Sequence, residues 1–228
     1  EAVLKPAGLL RLEDLLGVAF EPTGLRAWVT DMGGNAIRAI DLATWRVSEP
    51  VIVGDRPYGI AIDPAGTYAA VSLQSEGKVA FVDLATGTVI AKVVVGLAPA
   101  GVAIDGVGRR VFVAISGENT VTAIDATTRS LAWTVAVGAG PYGIAIDPAG
   151  RMVFTANYGD GTVSSIEIAT RTVVSAPVGT DAYAVAVDPS GRKVVVTGMS
   201  DGVLAIHDAT TLARLATVYE LGLPSGVE

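Results

Sequence analysis

Short apolar runs separated by turn-forming residues follow one another along the whole chain. In the clearest stretch, the run Gly59 to Asp63 (GIAID) alternates large and small apolar side chains. A turn of the type Asp-Pro-x-Gly follows, and three further apolar runs precede Gly96. Runs of this length between tight turns predict four antiparallel β-strands in a meander. Because large apolar residues lie on one side and small ones on the other, we expect both faces of the sheet to be covered.

The same phrase returns at a fixed interval. PYGIAIDPAG runs from Pro57 to Gly66 and again, letter for letter, from Pro141 to Gly150. The acid of this phrase recurs at steps of 42, 42, 42 and 41 residues, at Glu21, Asp63, Asp105, Asp147 and Asp188. A four-stranded unit of about 42 residues is typical of a propeller blade. The sequence therefore predicts an all-β fold, a β-propeller with five readable four-stranded blades.

We expect a single propeller domain over residues 1–228. Its repeats are predicted at about 17–58, 59–100, 101–142, 143–183 and 184–226, with 1–16 forming part of a preceding repeat. Since the chain begins and ends inside a repeat, two arrangements are open. One is a five-bladed ring with its end segments tucked on, and the other is part of a larger ring of about six or seven blades.

A second acid closes the third run of each unit. It falls at Asp41, Asp83, Asp125 and Glu167, and the same pattern predicts His207 at this position in the fifth unit. Aspartate accepts hydrogen bonds from the backbone two residues on, so we interpret both sets of repeated acids as turn chemistry. His207 is the only histidine, and we expect it to be solvated or to cap a turn.

Composition narrows the choice of function. Half of the residues are hydrophobic, but the longest weakly charged stretch is broken by Gly138, Gly140 and Pro141, so we expect no membrane insertion. With 16 basic and 23 acidic residues, a net charge of −7 and no basic run, nucleic acid is not an expected partner. The chain has no cysteine, which excludes disulfides and thiolate metal sites.

These motifs resemble the repeat of the YVTN-type β-propeller family. PYGIAIDPAG is followed by RMVFTANYGDGTVSSIEIATRTVV, and the run that names the family is best matched by Phe154 to Asn157. The first unit has a similar run, Trp28 to Asp31, whereas the second and third units lose the Asn. The resemblance implies a secreted, periplasmic or cell-surface protein whose signal peptide has been removed. It also implies a binding or surface-layer role, although a minority of such proteins resemble lactonases or amine dehydrogenase subunits.

One face of the predicted disc carries the candidate binding residues. The second-to-third turns and the crossings between blades share that face, and there the repeats stop agreeing. Tyrosine offers a flat apolar ring with one hydroxyl, and loops on a rigid scaffold commonly carry function. The candidates at the mouth of the central channel are Arg56, Tyr58, Tyr142, Asn157, Tyr158, Asp160, Asp181 and Tyr183.

Two functions fit this pattern. The first is a non-catalytic binding or structural propeller outside the cytoplasm, without a cofactor, that uses the variable loops or the blade edges. Its partner would be a protein or a glycan, within a self-assembly or a larger complex. The alternative is a lactonase-like hydrolase or dehydrogenase subunit in which Asp31, Asp160 or Asp181 holds a divalent cation such as Ca²⁺. The tight acid spacing of a Ca²⁺ loop and the nucleophile motif of hydrolases are both missing.

Overall fold

The computed structural model describes residues 15–200 and 202–219, which form twenty β-strands in five four-stranded antiparallel sheets. No helix occurs within these two ranges, and so none there could span a membrane. The strands are β1 Leu15–Phe20, β2 Arg26–Asp31, β3 Ala36–Asp41, β4 Val51–Ile52, β5 Pro57–Ile62, β6 Tyr68–Leu73, β7 Lys78–Asp83, β8 Thr88–Val94, β9 Pro99–Ile104, β10 Arg110–Ile115, β11 Thr120–Asp125, β12 Ser130–Ala136, β13 Pro141–Ile146, β14 Met152–Asn157, β15 Thr162–Glu167, β16 Val173–Pro177, β17 Ala182–Val187, β18 Lys193–Gly198, β19 Val203–Asp208 and β20 Arg214–Val218.

Each sheet is a meander whose four strands pair in chain order. The Asp-Pro-x-Gly turn closes the first hairpin of the second sheet, because the Gly66 amide donates to the Asp63 carbonyl over 2.8 Å. Gly66 has a φ of 69°, a left-handed conformation that glycine adopts without steric cost. The prediction of an all-β propeller with five four-stranded units is confirmed.

The first strands of neighbouring sheets pack side by side around a central channel, in the order β1, β5, β9, β13 and β17. Glycine in the third position of these strands allows the close approach. A Cβ atom built on Gly59 would lie 2.5 Å from the carbonyl oxygen of Ala100, and one on Gly143 would lie 2.5 Å from that of Tyr183. Any side chain at these positions would therefore push two inner strands apart.

Four apolar clusters form the core, and each of them joins two consecutive sheets. Trp28 of the first sheet packs into the cluster that contains Val71 of the second. Phe112 and Phe154, at the same strand position as Trp28, enter the clusters formed with the fourth and fifth sheets. Large side chains on one sheet thus meet small ones on the next, as the sequence pattern predicts.

In the part of the chain that the structure describes, no core cluster joins the fifth sheet to the first. Val18 and Phe20 of β1 are 58% and 63% exposed. Ile60, at the position of Val18 in the next sheet, is only 7% exposed. The described residues therefore form a series of five sheets with four packed interfaces.

The structure corrects the placement of His207. Strand β19 ends at Asp208, whose carboxylate accepts the Thr211 amide over 2.8 Å, as the acids of the other third strands accept their turn amides. His207 is fully buried, and its Nδ1 lies 2.9 Å from the Leu212 carbonyl oxygen. The prediction of a solvated or capping histidine was wrong because the fifth repeat is one residue shorter than the others, which shifts the acid to Asp208.

Candidate functional site

The repeated acids are turn caps, as the sequence interpretation holds. Asp63 accepts the amide of Tyr68 over 2.7 Å and that of Thr67 over 2.5 Å. Asp83 ends its third strand and accepts the amide and the hydroxyl of Thr86 over 2.7 and 2.9 Å. These hydrogen bonds lower the pKa of Asp83 below its ordinary value. The acids at this end of the molecule are therefore committed to their own turns.

At the opposite end, each crossing between sheets passes through one residue with positive φ. Arg56, Ala98, Gly140 and Asp181 occupy this position, with φ between 51° and 60°. Their carbonyl groups accept an amide from the second-to-third turn of the next sheet, for example from Gln74 to Arg56 over 3.0 Å. Because the conformation recurs at every crossing, the positions of Arg56 and Asp181 follow from the scaffold.

The acids of the second-to-third turns tie those turns to the preceding crossing. Glu76 accepts the Asp55 amide over 3.0 Å, and Glu118 accepts the Leu97 amide over 2.9 Å. Asp160 accepts the Ala139 amide over 2.7 Å in the same way. Two of the predicted site acids therefore have structural partners, since Asp160 holds this crossing and Asp181 accepts the Ser200 hydroxyl.

Asn157 does not lie in a loop at the channel mouth. It ends β14 and is fully buried, and its amide nitrogen donates to Thr162 and Ser164 over 2.8 Å each. Its carbonyl oxygen, Oδ1, has no hydrogen-bond partner. Asn157 therefore packs between sheets and is not accessible to a partner that approaches from outside.

The tyrosines, in contrast, come together. Tyr58, Tyr142 and Tyr183 are the second residues of β5, β13 and β17, so they belong to inner strands and not to the crossings. Ala100 holds the same position in β9, and its small side chain leaves room for the three rings. All three rings line a cavity of about 370 Å³ that follows the inner strands.

The tyrosine cluster, which we define as Tyr58, Tyr142, Tyr158 and Tyr183, is held by ring and hydroxyl contacts. The hydroxyl oxygens of Tyr58 and Tyr183 are 2.5 Å apart. Tyr142 stacks on Tyr183 at a centroid separation of 5.7 Å and meets Tyr58 edge-on at 5.9 Å. Tyr158, from the turn after β14, closes the group at 5.7 Å from Tyr142. These contacts hold the rings in place at the channel mouth.

The cluster is neutral and carries one neighbouring cation. Burial, and then the hydrogen bond from Tyr183, raise the pKa of Tyr58 well above 10.0, so its phenol stays protonated in ordinary buffers. The side chain of Arg56 is exposed, and no carboxylate of the described residues lies within 4.0 Å of it. The mouth therefore offers aromatic surface, hydroxyl groups and a guanidinium.

The three carboxylates proposed as metal ligands are used separately. Asp31 is buried, accepts the Gly34 amide over 2.9 Å and pairs with Arg38 over 3.0 Å. Asp160 and Asp181 have the turn and crossing partners described above. Within residues 15–200 and 202–219, no group of three or more His, Cys, Asp or Glu side chains is placed to hold a metal ion.

A second concave surface lies near the opposite end of the molecule, and the sequence analysis did not identify it. It is lined by Arg110, Arg151 and Arg171, with Trp133 on one wall. A signal was available in the repeat, because Arg110 stands where the preceding unit has Tyr68. Internal comparison of the repeats could therefore have found this site.

Comparison with known proteins gives the family. The model of the family described as "Outer membrane protein assembly factor BamB" matches residues 16–174 and 75–215. The chain belongs to this family. Among curated proteins, none matches the chain.

A solved structure shares the fold. The hydrazine synthase of Kuenenia stuttgartiensis has 21% sequence identity to the chain and a TM-score of 0.82, over 94% of this chain and 69% of that one. At this identity the likeness shows the propeller fold and carries no activity across, because one fold hosts many functions.

Proposed function

We propose that this chain is a non-catalytic binding propeller that acts outside the cytoplasm and takes a protein partner at the tyrosine cluster. The observation that carries the proposal is the convergence of Tyr58, Tyr142, Tyr158 and Tyr183 beside the exposed Arg56 at one end of the channel. Tyrosine and arginine are the residue types that dominate binding energy at protein interfaces.

The order within the cluster supports this role. Tyr142 is wedged among three other rings, and the hydroxyl groups of Tyr58 and Tyr183 are paired. A partner that binds such a surface does not have to immobilise these side chains, so less free energy is lost to ordering. Tyr158, which is 38% exposed, is the ring most accessible to a partner.

The family name supports a protein partner and a compartment outside the cytoplasm, since it describes an outer membrane protein assembly factor. The acids on the binding face support a non-catalytic role, because Glu76, Glu118 and Asp160 each accept a backbone amide of a crossing. The narrower resemblance to YVTN-type repeats stays a prediction.

Site-specific photo-crosslinking tests the proposal. A benzophenone amino acid is placed at Tyr158 or, as a control, at Val107, an exposed residue in a turn at the other end of the molecule (71% exposed). We expect a discrete crosslinked protein from position 158 in cells that make the chain, and none from position 107. Equal crosslinking from both positions, or none from 158, would contradict a partner at the channel mouth.

A further inference from the structure

We propose that the groove between the third and fourth sheets is a second binding site, which takes a carboxylate-bearing segment of a protein through Arg110, Arg151 and Arg171. The groove has a volume of about 510 Å³, within the usual range for ligand sites. It opens near the turns before β10, β14 and β16, at the end of the molecule opposite the tyrosine cluster. The inference therefore does not rest on the function proposed for the cluster.

The groove exists because one residue of the repeat has changed. Between the second and third sheets, Tyr68 fills the equivalent space. Its hydroxyl donates to the Gly108 carbonyl over 3.1 Å, and its ring lies 5.6 Å from that of Phe81. Arg110 replaces this tyrosine one repeat later, and Gly150, the counterpart of Gly108, lines the groove that results. The space is thus specific to one interface of the propeller.

The three arginines have no ionic partner of their own. Among the described residues, no carboxylate lies within 4.0 Å of the guanidinium of Arg110, Arg151 or Arg171. Two carboxylates are near, and both belong to turns. Asp125 lies opposite Arg110 in the β-ladder but accepts the amides of its own turn, and Glu167 accepts the Thr170 hydroxyl over 2.6 Å. Three unpaired guanidinium groups on one groove are unusual for a chain of net charge −7.

The walls of the groove are suited to a peptide more than to a small ion. Trp133 lines one wall and is braced by Phe112 at a ring separation of 5.7 Å. Ile168 and Ala169 line the other side. Arginine forks match carboxylates in a bidentate manner, while the apolar walls can cover an aliphatic side chain between two acids. An acidic segment with an apolar residue at its centre has both features.

The test uses the whole chain and the peptide acetyl-Glu-Glu-Leu-Glu-Glu-amide, with a matched peptide in which glutamine replaces every glutamate. Binding is followed by calorimetry and by the fluorescence of Trp133. Two variants address the groove. Arg110→Tyr restores the residue that closes the neighbouring groove, and Arg151→Ala removes one exposed guanidinium. Arg129→Ala is the control, because Arg129 occupies in the third sheet the turn position that Arg171 occupies in the fourth, with a φ of 54° against 64°.

We expect saturable binding of the glutamate peptide that weakens at least tenfold in Arg110→Tyr and in Arg151→Ala, and little in Arg129→Ala. Affinity should fall as salt rises, since exposed charges are screened, and the glutamine peptide should not bind. Three results would overturn the proposal: no saturable binding, an equal loss in the Arg129→Ala control, or full competition by inorganic phosphate, which would indicate a small-anion site. Thermal melts of the variants check that each remains folded.

Discussion

The hydroxyl oxygens of Tyr58 and Tyr183 meet at 2.5 Å, although 125 residues separate them along the chain. One belongs to the second sheet and the other to the fifth. Because β9 and β13 lie between them in the ring of inner strands, this contact spans the channel. It links sheets that share no packed interface and orders the surface that we propose for partner binding.

The contact between Tyr58 and Tyr183 should contribute to stability as a coupled pair. We expect Tyr58→Phe or Tyr183→Phe alone to lower the free energy of unfolding by about 0.5–1.5 kcal/mol, because the remaining hydroxyl loses its partner. The double variant should lose less than the sum of the two single losses. Urea denaturation of the four proteins measures the coupling, and strictly additive losses would show that the hydroxyl groups do not interact.

Stability should fall on the alkaline side. Burial, followed by the hydrogen bond from Tyr183, raises the pKa of Tyr58 above its ordinary value of 10.0. The unfolded chain therefore releases this proton first, so the contribution is complete below pH 10 and is lost as the pH rises above it. Tyr68 contributes with the same sign, because burial and the charges of Asp63 and Asp105 raise its pKa also.

Melting temperatures between pH 8 and 11.5 should show this loss. We expect a shallower decline in Tyr58→Phe than in the unaltered chain, and a further flattening when Tyr68→Phe is added. A decline of equal slope in the unaltered chain and in Tyr58→Phe would argue against the assignment to Tyr58.

The inner strands should not tolerate a side chain at Gly59. An added Cβ would lie 2.5 Å from the Ala100 carbonyl oxygen, so Gly59→Ala should destabilise the protein by about 1–3 kcal/mol through overpacking. Gly106→Ala is the control, because nothing lies within 4 Å of a Cβ at that position. Denaturant unfolding of both variants decides the matter. Similar stabilities for the two would show that the inner strands can move apart at low cost.

Glu76 should contribute to stability in acid. Burial opposes its ionisation, but the Asp55 amide and the ammonium groups of Lys92 and Lys78 outweigh burial and lower the pKa of Glu76 from 4.5 to about 2. Its contribution is therefore present above pH 4.5 and is lost as the pH falls towards 2. We expect Glu76→Gln to flatten the loss of melting temperature over this window.

The matched control for this prediction is Glu118→Gln. Glu118 caps the next crossing through the Leu97 amide but has no lysine within 4.0 Å among the described residues. An effect of the same size in Glu118→Gln would show that the amide cap alone accounts for the pH dependence of Glu76.

The fold could be read from the sequence because each unit repeats its own instructions. The phrase that starts at Pro57 encodes a strand, a type of turn and the spacing to the next strand, and five copies leave little choice of architecture. The misplacement of His207 has the same origin. A repeat shortened by one residue cannot be distinguished from a substituted acid until strand pairing shows that Asp208 ends β19.

The candidate site was less predictable because contacts across the channel join distant repeats. Nothing local indicates that Tyr58 would reach Tyr183, or that Asn157 would be buried. The role of Asp160 had a trace, because Glu76, Glu118 and Asp160 recur at steps of 42 residues. Such recurrence indicates scaffold, whereas the tyrosines occur in only three of the five inner strands, which is typical of residues that serve one particular surface.

The most direct test of the account is the affinity of the protein captured by crosslinking at position 158. Its dissociation constant is measured for the unaltered chain, for Tyr158→Ala and for Val107→Ala. We predict that Tyr158→Ala weakens binding at least tenfold, about 1.4 kcal/mol, without a change in melting temperature, while Val107→Ala has no effect. An unchanged dissociation constant for Tyr158→Ala would contradict the claim that the tyrosine cluster is the binding surface.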